Sequence, residues 1–388
     1  MELKPNGAVL RWAREYQRKT AIQIADALSI SIEQLKAWES NEESINMGYL
    51  NRLGSLYQRP ISFFFLPTVP TETLVSPAFR SFDSVKVESL SEETVEALRK
   101  TKFNRKQYIK LLTALDEKYE FKFPVVSMNS DPEKLAENVR KALNIPDDIH
   151  RRLKNKSAAL RYWITEVEDK GLLIFQYSLP ERGFCLHGEE GLPPVIVLSS
   201  SEEPAGRIFT VFHELAHILI KEKFDQSNHT QLEKFCNHFA GAFLVPKKTL
   251  MISAYYDKFL QNPNDYWLSR MAGEFNVSWD VILRRLHIFK KIDDTFFVEK
   301  LKEFKLAQEQ RKTKKEQKSS EEEKDGFQRH SAKVFMNTGI TMSSKLFEAH
   351  EKGVIGTVDL VRNFQTTANS LSAIRAELSA SRKFYDES

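Results

Sequence analysis

One run of residues constrains this chain more than any other: Ile208-Phe-Thr-Val-Phe-His-Glu-Leu-Ala-His-Ile-Leu-Ile220. It is apolar enough to demand burial, yet it carries His213, Glu214 and His217. Burying two imidazoles and a carboxylate costs free energy unless something coordinates them. On a helix, residues four apart share a face, so both imidazoles can reach one ion, while Glu214 lies one position round, beside the remaining coordination site. The H-E-x-x-H spacing thus points to a zinc hydrolase in which His213 and His217 hold Zn2+ and Glu214 is the catalytic base. The same three ionisable groups break up the longest apolar run in the chain, so no segment is expected to span a membrane.

A catalytic zinc normally has three protein ligands and one open position. A metzincin continuation would place Gly at 220 and His at 223, where the chain has Ile220 and Lys223. The third ligand must therefore come from another element. The periodicity of Gln231 to Leu244 predicts a helix that packs through Leu232, Phe235, Cys236, Phe239, Phe243 and Leu244. Glu233 falls on one face with Asn237 and Ala240, where small neighbours allow close approach to the zinc helix, and is the leading choice. His229, just ahead of the helix, and His238, which points away from Glu233, are the alternatives. Tyr177, Arg182 and His187 are candidates for stabilising an oxyanion.

The rest of the chain organises itself around this centre. Thr20 with Gln23 and Ser31 with Gln34 have capping-box spacing, so helices are expected over Ala21–Leu28 and from Ser31 to Glu39, separated by a short joint at Ser29-Ile30. Ile22, Ala25, Leu28, Ile30, Leu35 and Trp38 supply their apolar stripe, and a helix from Tyr49 to Tyr57 closes a small helix-turn-helix bundle. Ser91 to Tyr119, Pro132 to Leu143 and Ala158 to Asp169 read as helices. Leu172 to Gln176, Gly183 to Leu186 and Pro194 to Ser199 are short β-rich runs bounded by Pro and Gly. Lys302 to Asp325 holds eight basic and seven acidic residues, the composition of a solvated helix or a disordered tether. The expected fold class is mainly α with a small β-sheet (α+β). Its parts are a helix-turn-helix bundle (1–67), a linker (68–90), a helical connecting region (91–154), a zincin-like peptidase domain (155–290), a charged tether (291–331) and a small helical region (332–388).

Composition narrows the setting. With 57 Lys and Arg against 53 Asp and Glu among 388 residues, the charge is nearly balanced, which does not announce a nucleic-acid binder. Two cysteines cannot make a disulfide scaffold, and the start MELKPNGAVL lacks the apolar stretch of a signal peptide, so a cytoplasmic protein is expected. Residues 1 to 60 carry eight basic and seven acidic side chains, a poor electrostatic footprint for DNA. On the presumed recognition helix Gln34 could read adenine, but Glu33, Glu42 and Glu43 surround it; Arg11, Arg14, Arg18 and Lys19 could form a basic patch.

The segments Arg207 to His217 and Glu233-Lys-Phe-Cys-Asn-His-Phe-Ala-Gly-Ala-Phe-Leu-Val-Pro246 resemble the ImmA/IrrE metallopeptidases. Their pattern is an aromatic-Thr run into H-E-x-x-H, then a helix of the form E-x-x-A-N-x-F-A with a Leu-Met-Pro-like stop. The resemblance implies His213, His217 and Glu233 as zinc ligands and Glu214 as base. Cys236 stands where that family usually has Ala, and Ala216 where many members have Gly. The stretch from Val277 to Leu286 is similar to the family's downstream helix pair. The amino terminus resembles the Xre-type helix-turn-helix often fused to such peptidases, through Leu10 to Glu15, Trp38-Glu39 and Arg59 to Pro67, with Phe79-Arg80 as a further short motif. The resemblance implies a regulatory endopeptidase that cuts an intracellular protein, such as a repressor or antitoxin encoded by a neighbouring gene, with DNA or partner docking through the helix-turn-helix. The rival reading is an antitoxin-like or transcriptional regulator whose zinc fold is only a scaffold.

Overall fold

The computed structural model describes residues 2–17, 19–57, 59–70, 90–127, 129–189, 191–220, 229–319 and 326–382. The chain is mostly helical with one small three-stranded mixed sheet. The described residues form two compact units. One comprises the amino-terminal helices and the first turns of α5 up to Arg99; the other is the chain from Lys100 onward. Most of the expected linker, with the Phe79-Arg80 motif, lies outside the described residues.

The first unit contains α1 (Gly7–Tyr16), α2 (Ala21–Leu28), α3 (Ile32–Glu39), α4 (Met47–Leu56) and a 3-10 turn over Ile61–Phe65. Strands β1 (Glu2–Leu3) and β2 (Ile45–Asn46) pair antiparallel. Thr20 closes a full capping box with Gln23 at the start of α2, and Ser29 ends that helix in the left-handed region at φ 58°. Ser31 caps α3 through Gln34 N, but the Gln34 side chain does not return to the cap; it donates to Glu43 instead. Leu28, Leu35, Trp38, Leu50, Leu53, Tyr57 and Phe64 make the core. Ile22, expected in the apolar stripe, is 58% exposed. Arg14 grips Glu39 by two hydrogen bonds of 2.6 and 2.9 Å, so one cation of the anticipated basic patch is already neutralised inside the fold.

The second unit continues α5 (Glu92–Ala114), then adds α6 (Pro132–Ala142), the short α7 (Ile149–Arg152) and α8 (Lys156–Glu168). Helix α5 stops short of the expected Tyr119 because Asp116 turns left-handed at φ 59°, letting Glu117 N reach back to Leu112 O. Phe103 on α5 is 45% exposed rather than part of its apolar face. Strands β3 (Leu173–Tyr177), β4 (Gly183–Leu186) and β5 (Val195–Ser199) form a sheet in the order β3-β5-β4, parallel between β3 and β5 and antiparallel between β5 and β4. Helices α9 (Pro204–Leu219) and α10 (His229–Leu244) follow, then the short α11 (Lys247–Met251) and α12 (Tyr256–Gln261), α13 (Asp265–Glu274) and α14 (Trp279–Ile288). The charged stretch begins as helix α15 (Asp294–Ser319).

The carboxy-terminal helices α16 (Gly326–Thr338), α17 (Ile340–Glu351), α18 (Thr357–Phe364) and α19 (Leu371–Arg382) are not a free appendage: α16 and α17 pack on β3, and α17 and α19 on α8. Val358 on α18 is 71% exposed. Buried Glu168 fastens the two parts, accepting from Ile174 N on β3 (2.8 Å) and Thr341 N at the start of α17 (3.0 Å). Gly339 makes this close approach feasible, since at φ 82° its place for a Cβ lies 2.5 Å from Ile174 O. Burial pushes the Glu168 carboxyl up to about 8 despite those two backbone donors. With a folded value above the ordinary 4.5, the stability this group contributes is full below pH 4.5 and falls as pH rises through about 8. Glu168→Gln is expected to lack that decline, measured as the pH slope of thermal unfolding. No described helix is long and apolar enough to cross a membrane.

Candidate metal centre

Helix α9 starts with Pro204 at its first turn and buries almost its whole length, including Val211, Phe212, Leu215 and Leu219. It lies on β4 and β5. Gly183 on β4 permits that contact: a Cβ there would sit 2.8 Å from Thr210 Cγ2 and 2.5 Å from Val197 O. Helix α10 is locked to α9 by rings, with Phe212 and Phe243 stacked at 3.9 Å between centroids and Trp163 of α8 edge-on to both. At the far end of α10 two buried arginines take up carbonyls that the helix cannot satisfy itself. Arg140 donates to Phe243 O (2.8 Å) and Arg285 to Val245 O (2.9 Å).

This packing brings three ligand side chains together. His213 Nε2 and His217 Nε2 are 3.2 Å apart, and Glu233 offers Oε2 at 3.4 Å from the first and Oε1 at 3.2 Å from the second. An ion bound tetrahedrally at about 2.1 Å needs ligand atoms roughly 3.4 Å apart. The three separations therefore fit a divalent metal of zinc's size, and His213, His217 and Glu233 form a group able to hold one. His217 is buried and His213 nearly so, whereas the Glu233 side chain is 33% exposed, leaving one side of the centre open. Glu214 is buried beside it, on the same helix, and is not one of the three.

The surrounding charges suit this arrangement. Burial opposes the Glu233 carboxylate, but hydrogen bonds from His213 and His217 outweigh it and hold the group below the usual carboxylate range. Burial likewise lowers His213, yet its bond to Glu233 and the charge of Glu214 raise it overall. Asn237, one turn beyond Glu233, faces His213: Nδ1 donates to Asn237 Oδ1 at 3.2 Å, which orients the ring with Nε2 toward the cluster.

The other residues singled out from sequence are not part of this ligand group. His238 turns from the cluster to Glu133 on α6 (Nε2 to Oε1, 2.6 Å), and His229 begins α10 outside the ligand group. Tyr177 accepts from Asn104 Nδ2 (3.4 Å), Arg182 pairs with Glu202 (3.2 Å), and the His187 carbonyl accepts from Arg105 (2.7 Å). Two supports of the site were not foreseen. The Asn237 bond could have been read from its i+4 spacing to Glu233; the Glu133 bridge to His238 and Arg285 joins residues far apart in sequence and leaves no local signal.

Two histidines and a glutamate on packed helices, with a second carboxylate adjoining the first histidine, make a donor set able to hold a divalent metal. Residues 167–287, running from the end of α8 to the end of α14, match the family model Peptidase_M78, the IrrE N-terminal-like domain. Among curated proteins and solved structures nothing matches the chain.

Proposed function

We propose that the chain is a zinc-dependent endopeptidase that cleaves a specific regulatory protein. The observation that carries this reading is the spacing of His213 Nε2, His217 Nε2 and the Glu233 carboxylate, next to a buried Glu214 that the ligand set does not use. When bound by these three residues, zinc supplies Lewis acidity that acidifies water and polarises a peptide carbonyl. Glu214 accepts the proton of the attacking water and returns it to the departing amide nitrogen. Asn237 holds His213 in the tautomer that presents Nε2, and Glu233 balances the charge of the centre. Asn237→Ala is accordingly expected to weaken zinc binding about 10- to 100-fold, measured by competition with a chromophoric chelator.

The target in this reading is an intracellular repressor, antitoxin or comparable regulator in a stress or mobile-element response, and the amino-terminal helices serve to dock it or its DNA. Engagement of Gln34 by Glu43 and of Arg14 by Glu39 favours a protein partner over base reading. The test compares cells making the wild type with cells making Glu214→Gln, mapping new protein amino termini and co-purifying proteins. A terminus generated only by the wild type, from a protein whose intact form accumulates on the variant, supports the proposal and names the target. If both forms hold the same intact partner and no terminus depends on Glu214, the chain is a binding scaffold.

A further inference from the structure

We propose that the outward face of α12 and α13 docks a protein partner through a segment in which an apolar or aromatic side chain is flanked by carboxylates. The two helices meet their packing needs from the other side, where Tyr256, Phe259, Leu268 and Met271 are buried. They nevertheless display Tyr266 at 61% exposure, and Ile252, three residues ahead of Tyr255, is 70% exposed. The half-buried rings of Tyr255 and Trp267 stack at 6.1 Å between centroids, and Tyr266 stands edge-on to Trp267 at 4.7 Å. Rings that touch one another at the surface while the core is filled without them, with an arginine beside them, have the composition of an interface centre.

Charge decides what kind of segment fits. Lys258 Nζ lies over both stacked rings, 5.3 Å from Trp267 and 5.8 Å from Tyr255, and among the described residues it has no other partner. The Arg270 guanidinium covers Tyr255 at 4.9 Å and donates once to its hydroxyl (2.6 Å), which leaves its other N–H groups for an acceptor. Among the described residues neither cation pairs with a carboxylate: Asp265 is held by Lys300 (2.8 Å) and Glu274 by Ser253 and Arg151. The rings keep both cations in place before anything arrives, so an incoming carboxylate meets them with little further loss of side-chain freedom. A nucleic-acid strand draws its affinity from several phosphate contacts, and here it would meet two such cations with exposed Asp257 next to Lys258. The face falls within the span of the peptidase-family model, yet none of its residues belongs to the ligand group. The proposal concerns binding; that the docked protein is also the one cleaved rests on the function proposed above.

The experiment selects short random peptides displayed on phage against the full zinc-loaded chain, and compares them on the double variant Lys258→Glu, Arg270→Glu. Both side chains are exposed, so the variant is expected to keep the thermal unfolding and zinc content of the wild type. Enriched peptides are expected to carry acidic residues around an aromatic or aliphatic one, to bind the wild type with a Kd below about 100 μM and to bind the variant at least about tenfold more weakly. Changing their acidic residues to Lys should restore binding to the variant, which a merely misfolded face would not allow. The proposal is overturned if no peptide is enriched, if the enriched peptides are not acidic, or if the variant binds them as well as the wild type does. Labelled oligothymidine that binds the wild type and not the variant would also overturn it, in favour of a nucleic-acid partner. No arm reads proteolysis, so failure of the peptidase reading would be seen separately.

Discussion

Glu214→Gln should keep a full complement of zinc and lose about 10²- to 10⁴-fold in turnover. The amide matches the carboxylate in size, and Glu214 contributes none of the three clustered ligand atoms, so the buried helix it sits on has no cause to shift. What disappears is the ability to take a proton from water. Glu233→Gln should do the reverse at the first step, weakening metal retention, because its carboxylate faces both imidazoles at 3.2 to 3.4 Å. Metal analysis and hydrolysis of the target identified in cells, run on both variants, distinguish the two roles. Equal cleavage by the wild type and Glu214→Gln would sink the assignment of Glu214 as base.

Arg285→Met is expected to cost about 3–5 kcal/mol of folding stability. Arg285 is fully buried. It donates to Val245 O, to both Glu133 oxygens, one at 2.9 Å, and its guanidinium covers the Phe289 ring at 4.4 Å. Methionine fills much of the space but strands the Val245 carbonyl and leaves Glu133 with only His238. The pH dependence has a definite sign. Although burial opposes its charge, the bonds from Arg285 and His238 hold Glu133 at about 2, below its ordinary 4.5. Its contribution is thus complete above pH 4.5 and is lost as pH falls toward about 2, and the variant should lack most of that acid-side loss. Denaturant unfolding at neutral and acidic pH measures both effects. The double variant with Glu133→Gln should recover part of the loss, since no carboxylate is then left without its cation.

How much of this was legible in the sequence depended on the range of the interactions. Helices α2 and α3 follow from their caps, because a hydroxyl three residues from the backbone N–H that donates to it is local information, yet the Gln34 side chain found Glu43 rather than its own cap. The β-rich runs became strands within a residue of their expected limits, although periodicity said nothing of the β3-β5-β4 order. Apolar character alone misplaced Ile22, which is exposed because α2 buries its other face through Ile24, Ala25 and Leu28. At the metal centre, helical spacing was enough to put His213 with His217 and Glu233 with Asn237. The clamp on α10 was not readable, since Glu133, Arg140 and Arg285 reach it from distant positions.

The aromatic lock between α9 and α10 has a consequence for how the centre acquires its ion. Phe212, Phe243 and Trp163 fix the two ligand-bearing helices without help from a metal, so the entropy of bringing the donors together is lost when the chain folds rather than when an ion arrives. Metal uptake then resembles the filling of a pre-cut seat. A chain stripped by chelator should keep its helices and reload rapidly, and the availability of metal in its surroundings becomes a lever on activity that leaves the fold untouched.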